Sequence, residues 1–224
     1  ERALGLREQA LGPEHGLVAA SLNNLARVHG GMGAYAEARA LRERALALRE
    51  QTLGPDHPLV ATTLSNLASD CMNMGDHAGA KARLERALAV QEVALGRDHA
   101  DVATTLSNLA NVYYVMGRYT EAGALAERAL AIREKVLGPE HFQVAASLNT
   151  LALVRSMAGA PDEARALYER TLAIMEKVLG RDHPDVAVLL NNLAGLYGAT
   201  GAEAEAEATY TRALAIQEKA LGRD

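Results

Sequence analysis

The sequence predicts an all-α solenoid of antiparallel helix pairs, five complete repeats preceded by an N-terminal partial helix, and three observations predict it. A Leu-Gly pair recurs every 42 residues, at Leu11-Gly12, Leu53-Gly54, Leu95-Gly96, Leu137-Gly138, Leu179-Gly180 and Leu221-Gly222. After each of the first five comes Pro or Arg, then an acid, then a histidine: His15, His57, His99, His141 and His183. A second glycine recurs at Gly33, Gly75, Gly117, Gly159 and Gly201, and apolar residues between the glycines step by three and four, the helical period.

The elements follow in order. Arg2-Ala3-Leu4 repeats as Arg44-Ala45-Leu46, so residues 1–11 read as the end of a truncated preceding repeat. The repeats then run over about 12–53, 54–95, 96–137, 138–179 and 180–221, within a single solenoid domain, 1–224. Each repeat holds a helix A and a helix B. In the second repeat Val60, Leu64, Leu67, Cys71 and Met74 form one stripe of helix A, which Gly75 ends. Asp56-His57-Pro58 is its start signal, with Pro in the first turn. In the third repeat Ala122, Leu125, Ala129, Ile132 and Val136 mark helix B, closed by Gly138. Short connections at glycine make consecutive helices antiparallel neighbours.

One helix pair cannot cover its own apolar faces, but stacked neighbours can. Two alanine columns suit close stacking: Ala26, Ala68, Ala110, Ala152 and Ala194 on helix A, and Ala38, Ala80, Ala122, Ala164 and Ala206 on helix B.

Composition narrows the function. The chain has 224 residues, 49% of them apolar and 4% aromatic, with a net charge of −5. It is too apolar for a disordered segment and too acidic for a phosphate-binding surface, so no nucleic-acid partner is expected. The lone Cys71 excludes an internal disulfide and fits a reducing, cytoplasmic compartment. No apolar run approaches the roughly 20 residues of a membrane span. The first residue is not Met, which fits an excised fragment; its uncapped end helices are then expected to expose apolar surface and to stack end to end with other copies.

Leu109-Ala110, Tyr113, Gly117, Tyr119, Glu121-Ala122 and Ala129 resemble the pattern of the tetratricopeptide repeat. The longer unit here, with Ala-Ile-Arg-Glu-Lys-Val-Leu-Gly over residues 131–138 and Leu-Asn-Asn-Leu-Ala over 190–194, is similar to the repeat domain of kinesin light chains. The resemblance covers the whole chain. It implies a right-handed superhelical solenoid with helix A lining the concave face, and a protein-binding scaffold as function.

The five spaced histidines invite a metal reading. Equivalent atoms one repeat apart are on the order of 10 Å or more from each other, whereas zinc holds its ligands near ~2 Å, so they read instead as helix-start caps. His29 and His77 take positions held elsewhere by Tyr and read as packing residues; Cys71, at the Tyr113 position, reads as buried and apolar. Glu50, Glu92, Glu134, Glu176 and Glu218 read as solvated faces with i,i+4 pairs. Arg44, Arg86, Arg128, Arg170 and Arg212 read as intra-repeat salt bridges or caps, or as a ladder for an anionic partner. The sequence has no P-loop, dinucleotide turn, HExxH or GxSxG, so no catalytic residue, metal or cofactor is expected.

The face of helix A away from its apolar stripe is almost uncharged. It carries Asn23, Asn24 and Arg27; then Ser65, Asn66 and Ser69; then Ser107, Asn108 and Asn111; then Asn149, Thr150, Leu153 and Met157; then Asn191 and Asn192. An Asn side chain offers two donors and an acceptor, matching a peptide group, so this row is expected to hold a peptide segment of a protein partner in the groove. Leu153 and Met157 add an apolar patch for a hydrophobic anchor. In kinesin light chain-like and chaperone-binding relatives such asparagines contact bound peptide, which the resemblance carries to Asn24, Asn66, Asn108 and Asn192. The other reading is a regulatory, sensor or linker arm of a larger multidomain signalling protein.

Overall fold

The computed structural model describes residues 2–222. Glu1, at the start of the expected partial helix, lies outside the described residues. That helix is α1 (Arg2–Leu11). The successive A helices are α2 (Gly16–Gly31), α4 (Pro58–Asn73), α6 (Ala100–Val115), α8 (Phe142–Met157) and α10 (Pro184–Ala199). The B helices are α3 (Tyr35–Leu53), α5 (His77–Leu95), α7 (Tyr119–Leu137), α9 (Pro161–Leu179) and α11 (Glu203–Ala220). There is no strand among the described residues. The chain divides into two compact units, Glu1–Met116 with α1–α6 and Gly117–Asp224 with α7–α11.

Local chemistry sets the helix ends. Each helix A starts at its repeat histidine, in extended backbone. The histidine Nδ1 accepts the N–H two residues on, at 3.1–3.2 Å, which satisfies one of the orphan donors of the first turn. The helix-start reading of the five histidines therefore holds. His57→Ala is expected to lower stability by about 0.5–2 kcal/mol in chemical denaturation, because it removes this bond before Pro58. Helix B stops at glycine: Gly54 has φ 88° and ψ 157°, a conformation that residues with a side chain do not tolerate. Gly75, at φ 76°, turns the chain between α4 and α5.

Within the first unit α2 packs on α3, α3 on α4, α4 on α5 and α5 on α6. Within the second α7 packs on α8, α8 on α9, α9 on α10 and α10 on α11. The stripes on helix A are buried as expected: Val18, Val60, Val102, Val144 and Val186 are fully enclosed, and Cys71 is too. Both alanine columns are buried. In the second unit Val144, Leu148, Tyr168, Leu190, Leu193 and Ile216 belong to one continuous core. Two stripe residues depart from expectation. Met74 is exposed because α4 has already ended at Asn73. Val136 is exposed because the buried line on α7 drifts past Ile132 toward half-buried Leu137.

The repeated charges tie repeats to one another. Arg44, Arg86 and Arg170 bind Glu8, Glu50 and Glu134 of the preceding helix B at 2.5–2.7 Å, and Arg212 binds Glu176 in the same way. This corrects the intra-repeat and i,i+4 readings: the partners stand 36 residues apart, on neighbouring B helices. Arginines engaged in this way are also not a free ladder for an anionic partner. Pairs this exposed add little stability one by one, but they favour one register of stacking. Ties within a repeat come from Lys177 to Glu140 and Lys219 to Asp182, at 2.5 and 2.7 Å. Lys219 holds the Asp182 carboxyl below its usual range.

A second polar column links α1, α3, α5 and α7 each to the next helix A. Arg7 donates to Ser21 Oγ and Arg49 to Thr63 Oγ1, both at 2.6 Å; Thr105 Oγ1 donates to Gln91 at 2.7 Å; Arg133 donates to Ser147. Burial lowers the pKa of Arg49 and Arg133, but a guanidinium keeps its charge.

One tie occurs once. Arg42 on α3 pairs with Asp70 on α4, both buried. The sequence reading missed it, although the signal was visible: the other residues in the Asp70 column are Val28, Val112, Val154 and Leu196.

Candidate peptide-binding surface

The apolar stripes turn one face of each helix A inward and leave the amide face out. Asn24, Asn66, Asn108 and Asn192 are exposed, as are Arg27, Ser69, Asn111 and Leu153. Asn23, Ser65, Ser107, Asn149 and Asn191 are half-buried. Several of these polar groups are partly satisfied by their own helix. Asn23 Nδ2 donates to the Ala19 carbonyl at 3.2 Å, Ser107 Oγ to the Ala103 carbonyl at 3.0 Å, and Thr150 Oγ1 to the Ala146 carbonyl at 3.1 Å. The exposed Asn column has no such helix bond, which leaves its amides available to a ligand backbone.

In the first unit Ser65, Ser69 and Asn73 of α4 face Asn108 and Asn111 of α6 across a hollow of about 190 Å³. Ala68, Met72, Leu84 and Val112 complete its lining. Nearer the N-terminus, Asn24 and Arg27 share an open hollow between α1 and α2 with Arg7 and Ser21.

In the second unit Asn192 Nδ2 donates to Asn149 Oδ1 at 3.4 Å, so amides on α8 and α10 meet. They border a hollow of about 120 Å³ with Phe142, Ala145, Ala146, Thr171, Met175 and Leu189 among its walls. Asp185 and Val188 also line it. Asn191 is not brought to this hollow; it borders the α11 face with Glu207, Tyr210 and Leu214. Leu153 and Met157 are exposed farther along α8, as the sequence reading expects. Arg155, on the same helix, is engaged by ion pairs to Glu127 and to Glu163, the latter at 3.2 Å.

The amide positions themselves carry no acid, but Asp185 and Glu207 stand beside them, which residue spacing did not show. The Met175–Leu189 hollow was also missed. It breaks a column that elsewhere holds an Arg or Gln with a Ser or Thr, and that break was the available signal.

Other titratable groups are shifted by burial and local hydrogen bonds. Burial pushes the Cys71 thiol up, away from the reactive thiolate form. Burial and then nearby Glu169 raise the Tyr197 hydroxyl. The Gly79 N–H holds the Asp76 carboxyl below its usual range at the start of α5. No group of three or more metal-ligating side chains occurs among the described residues. No helix of the described residues is long and apolar enough to cross a membrane.

The sequence profile of the tetratricopeptide repeat matches residues 1–51, 19–92, 59–114, 101–177 and 158–219. No curated protein matches the chain. Among solved structures, a kinesin light chain candidate of Podosopora anserina, described as having nearly identical TPR-like repeats, is 32% identical. That similarity covers 92% of this chain and 98% of that one, with a TM-score of 0.80. BtubC (BKLC) from P. vanneervenii is 26% identical over 99% of this chain and 87% of its own, with a TM-score of 0.84. MamA, at 18% identity and a TM-score of 0.62, shares the fold. With a profile that spans nearly every residue and helix pairs that recur in register, the chain belongs to the tetratricopeptide repeat family.

Proposed function

We propose that this chain is a non-catalytic interaction scaffold that holds a peptide segment of a protein partner along the amide face of its A helices. The observation that carries the reading is the exposed Asn column, beside which amides of successive A helices share a hollow in each unit, Asn73 with Asn108 and Asn111 in the first and Asn149 with Asn192 in the second. An Asn pair can donate to a peptide carbonyl and accept from a peptide N–H without demanding one side chain. In the first unit the contacts assigned to peptide are Ser65, Asn66, Ser69, Asn108 and Asn111, with Asn24 and Arg27 on α2; in the second they are Asn149, Leu153 and Asn192. Asn23, Ser107 and Asn191 belong to the same face and are assigned a supporting part.

The test is selection of linear peptides from a random displayed library on the immobilised chain. Asn66→Ala with Asn108→Ala, and separately Asn149→Ala with Asn192→Ala, are expected to weaken selected peptides about tenfold or more per pair, since each truncation removes on the order of 1 kcal/mol of hydrogen bonding. Helicity and melting are expected to stay near those of the parent, because these amides are outside the core. Equal affinity in both variants would remove the amide face from consideration.

A further inference from the structure

Four of the five junctions between a helix B and the next helix A are crossed by a polar pair: Arg7–Ser21, Arg49–Thr63, Gln91–Thr105 and Arg133–Ser147. At the equivalent place between α9 and α10 stand Met175 and Leu189, 9% and 4% exposed. The exchange removes both the long cationic side chain and its hydroxyl partner. What stands there is a hollow of about 120 Å³, with Met175, Leu189, Ala145 and Thr171 deep in it and exposed Phe142 and Val188 at its edge. An apolar cavity of about 150 Å³ takes a benzene-sized guest, so this one suits a Leu, Ile or Met side chain and is too small to enclose an indole.

The rim supplies direction. Asn149 and Asn192, joined at 3.4 Å, stand beside the opening, where they can hold the backbone on either side of an inserted residue. No cation lines the hollow, and its one carboxylate is Asp185. Asp185 is well exposed, and the His183 Nδ1 that stands 3.7 Å from its carboxylate already accepts the Asp185 backbone N–H. Two cations of the same repeat are engaged elsewhere: Lys219 with Asp182, and Arg181 with Glu176.

We infer that the hollow between α8 and α10 is a side-chain subsite that takes a Leu, Ile or Met of a partner peptide with a Lys or Arg next to it, the cation facing Asp185. This deepens the peptide-holding role proposed above and rests on it. The last junction is then an apolar reading position, whereas the others carry a polar pair of Arg or Gln with Ser or Thr.

The test uses the peptides selected on the intact chain. The expected family places Leu, Ile or Met beside Lys or Arg. Replacing the aliphatic residue of a selected peptide by Ala is expected to weaken it about tenfold or more, the equivalent of one buried aliphatic side chain. Met175→Arg with Leu189→Ser installs the pair used at Arg133–Ser147. It is expected to abolish the aliphatic preference while other peptides still bind. Asp185→Asn is expected to reduce the preference for the cation by about two- to fivefold, the scale of an exposed ion pair. Should the double variant fold poorly, the Met175 methyl resonance of the parent gives the same answer. It is expected to shift on adding a Leu-Lys peptide and to stay in place with its Ala-Lys counterpart.

Selection of aromatic, acidic or purely polar peptides with an unmoved Met175 methyl overturns the subsite. If those peptides still depend on Asn149 and Asn192, the amide-face reading survives its loss. Failure to select any peptide overturns both.

Discussion

Arg42→Ala or Asp70→Ala is expected to destabilise the first unit by about 3–5 kcal/mol, because each leaves a buried charge without its partner. The double change Arg42→Leu with Asp70→Val is expected to be neutral or to raise stability. It copies Leu84 and Val112, which occupy the same two columns one repeat later and are both buried. The asymmetry follows from how incompletely the pair is satisfied. Asp70 is 2% exposed, yet its Oδ2 has no hydrogen-bond partner, and neither has Arg42 Nε. A buried ion pair recovers its desolvation cost only when the remaining polar atoms are also bonded. Hydrogen exchange of the α3 and α4 amides checks both outcomes. A double variant as damaged as either single variant would show that the pair is a net source of stability. Nearly identical repeats also allow stacking in the wrong register. A charge pair present at one junction penalises that error, because Arg42 moved by one repeat would meet Val112 instead of Asp70.

The fold was legible because its cause is local and repeated. Glycine, histidine and the Val-Leu-Leu spacing recur at one interval, and each recurrence dictates a turn, a cap or a buried stripe irrespective of distant residues. The small residues of both alanine columns were read correctly for the same reason. What escaped was whatever depends on the neighbouring repeat. Arg44 looks like a partner for acids three or four positions away until the stacking brings Glu8 beside it. Asp70 looks like a polar break in a helix face until Arg42 is seen opposite. The amide face was legible as a surface, since it is what remains when the stripe is buried. Its second-unit hollow was not, because it needs residues of α8, α9 and α10, Ala145, Met175 and Leu189 among them, to be placed together. Comparing columns across repeats, in place of spacing along one helix, identifies Arg42, Asp70, Met175 and Leu189 as the departures.

Leu148→Ala is expected to cost about 2–5 kcal/mol, the range for deleting a buried leucine where the surroundings cannot fully close on the gap. Leu148 is fully buried in α8, in the core that Val144, Ala152 and Ala164 share with Tyr168, Leu190 and Leu193. Two comparisons separate packing from helix propensity. Val188→Ala, at a position 57% exposed, is expected to change stability by no more than about 0.5 kcal/mol. Leu148→Met keeps the volume and is expected to cost less than about 1.5 kcal/mol. In a solenoid each repeat is held by its own pair and its immediate neighbours, so the damage should be read out where it is made. Hydrogen exchange is expected to accelerate across α8, α9 and α10 and to leave α2 and α3 unchanged, since sites without shared contacts contribute independently. A loss below about 1 kcal/mol would mean that the buried stripe is not what holds these helices. Equal acceleration in α2 and α3 would mean that stability is pooled over the whole chain, and the nearest-neighbour account of the stacking would fall.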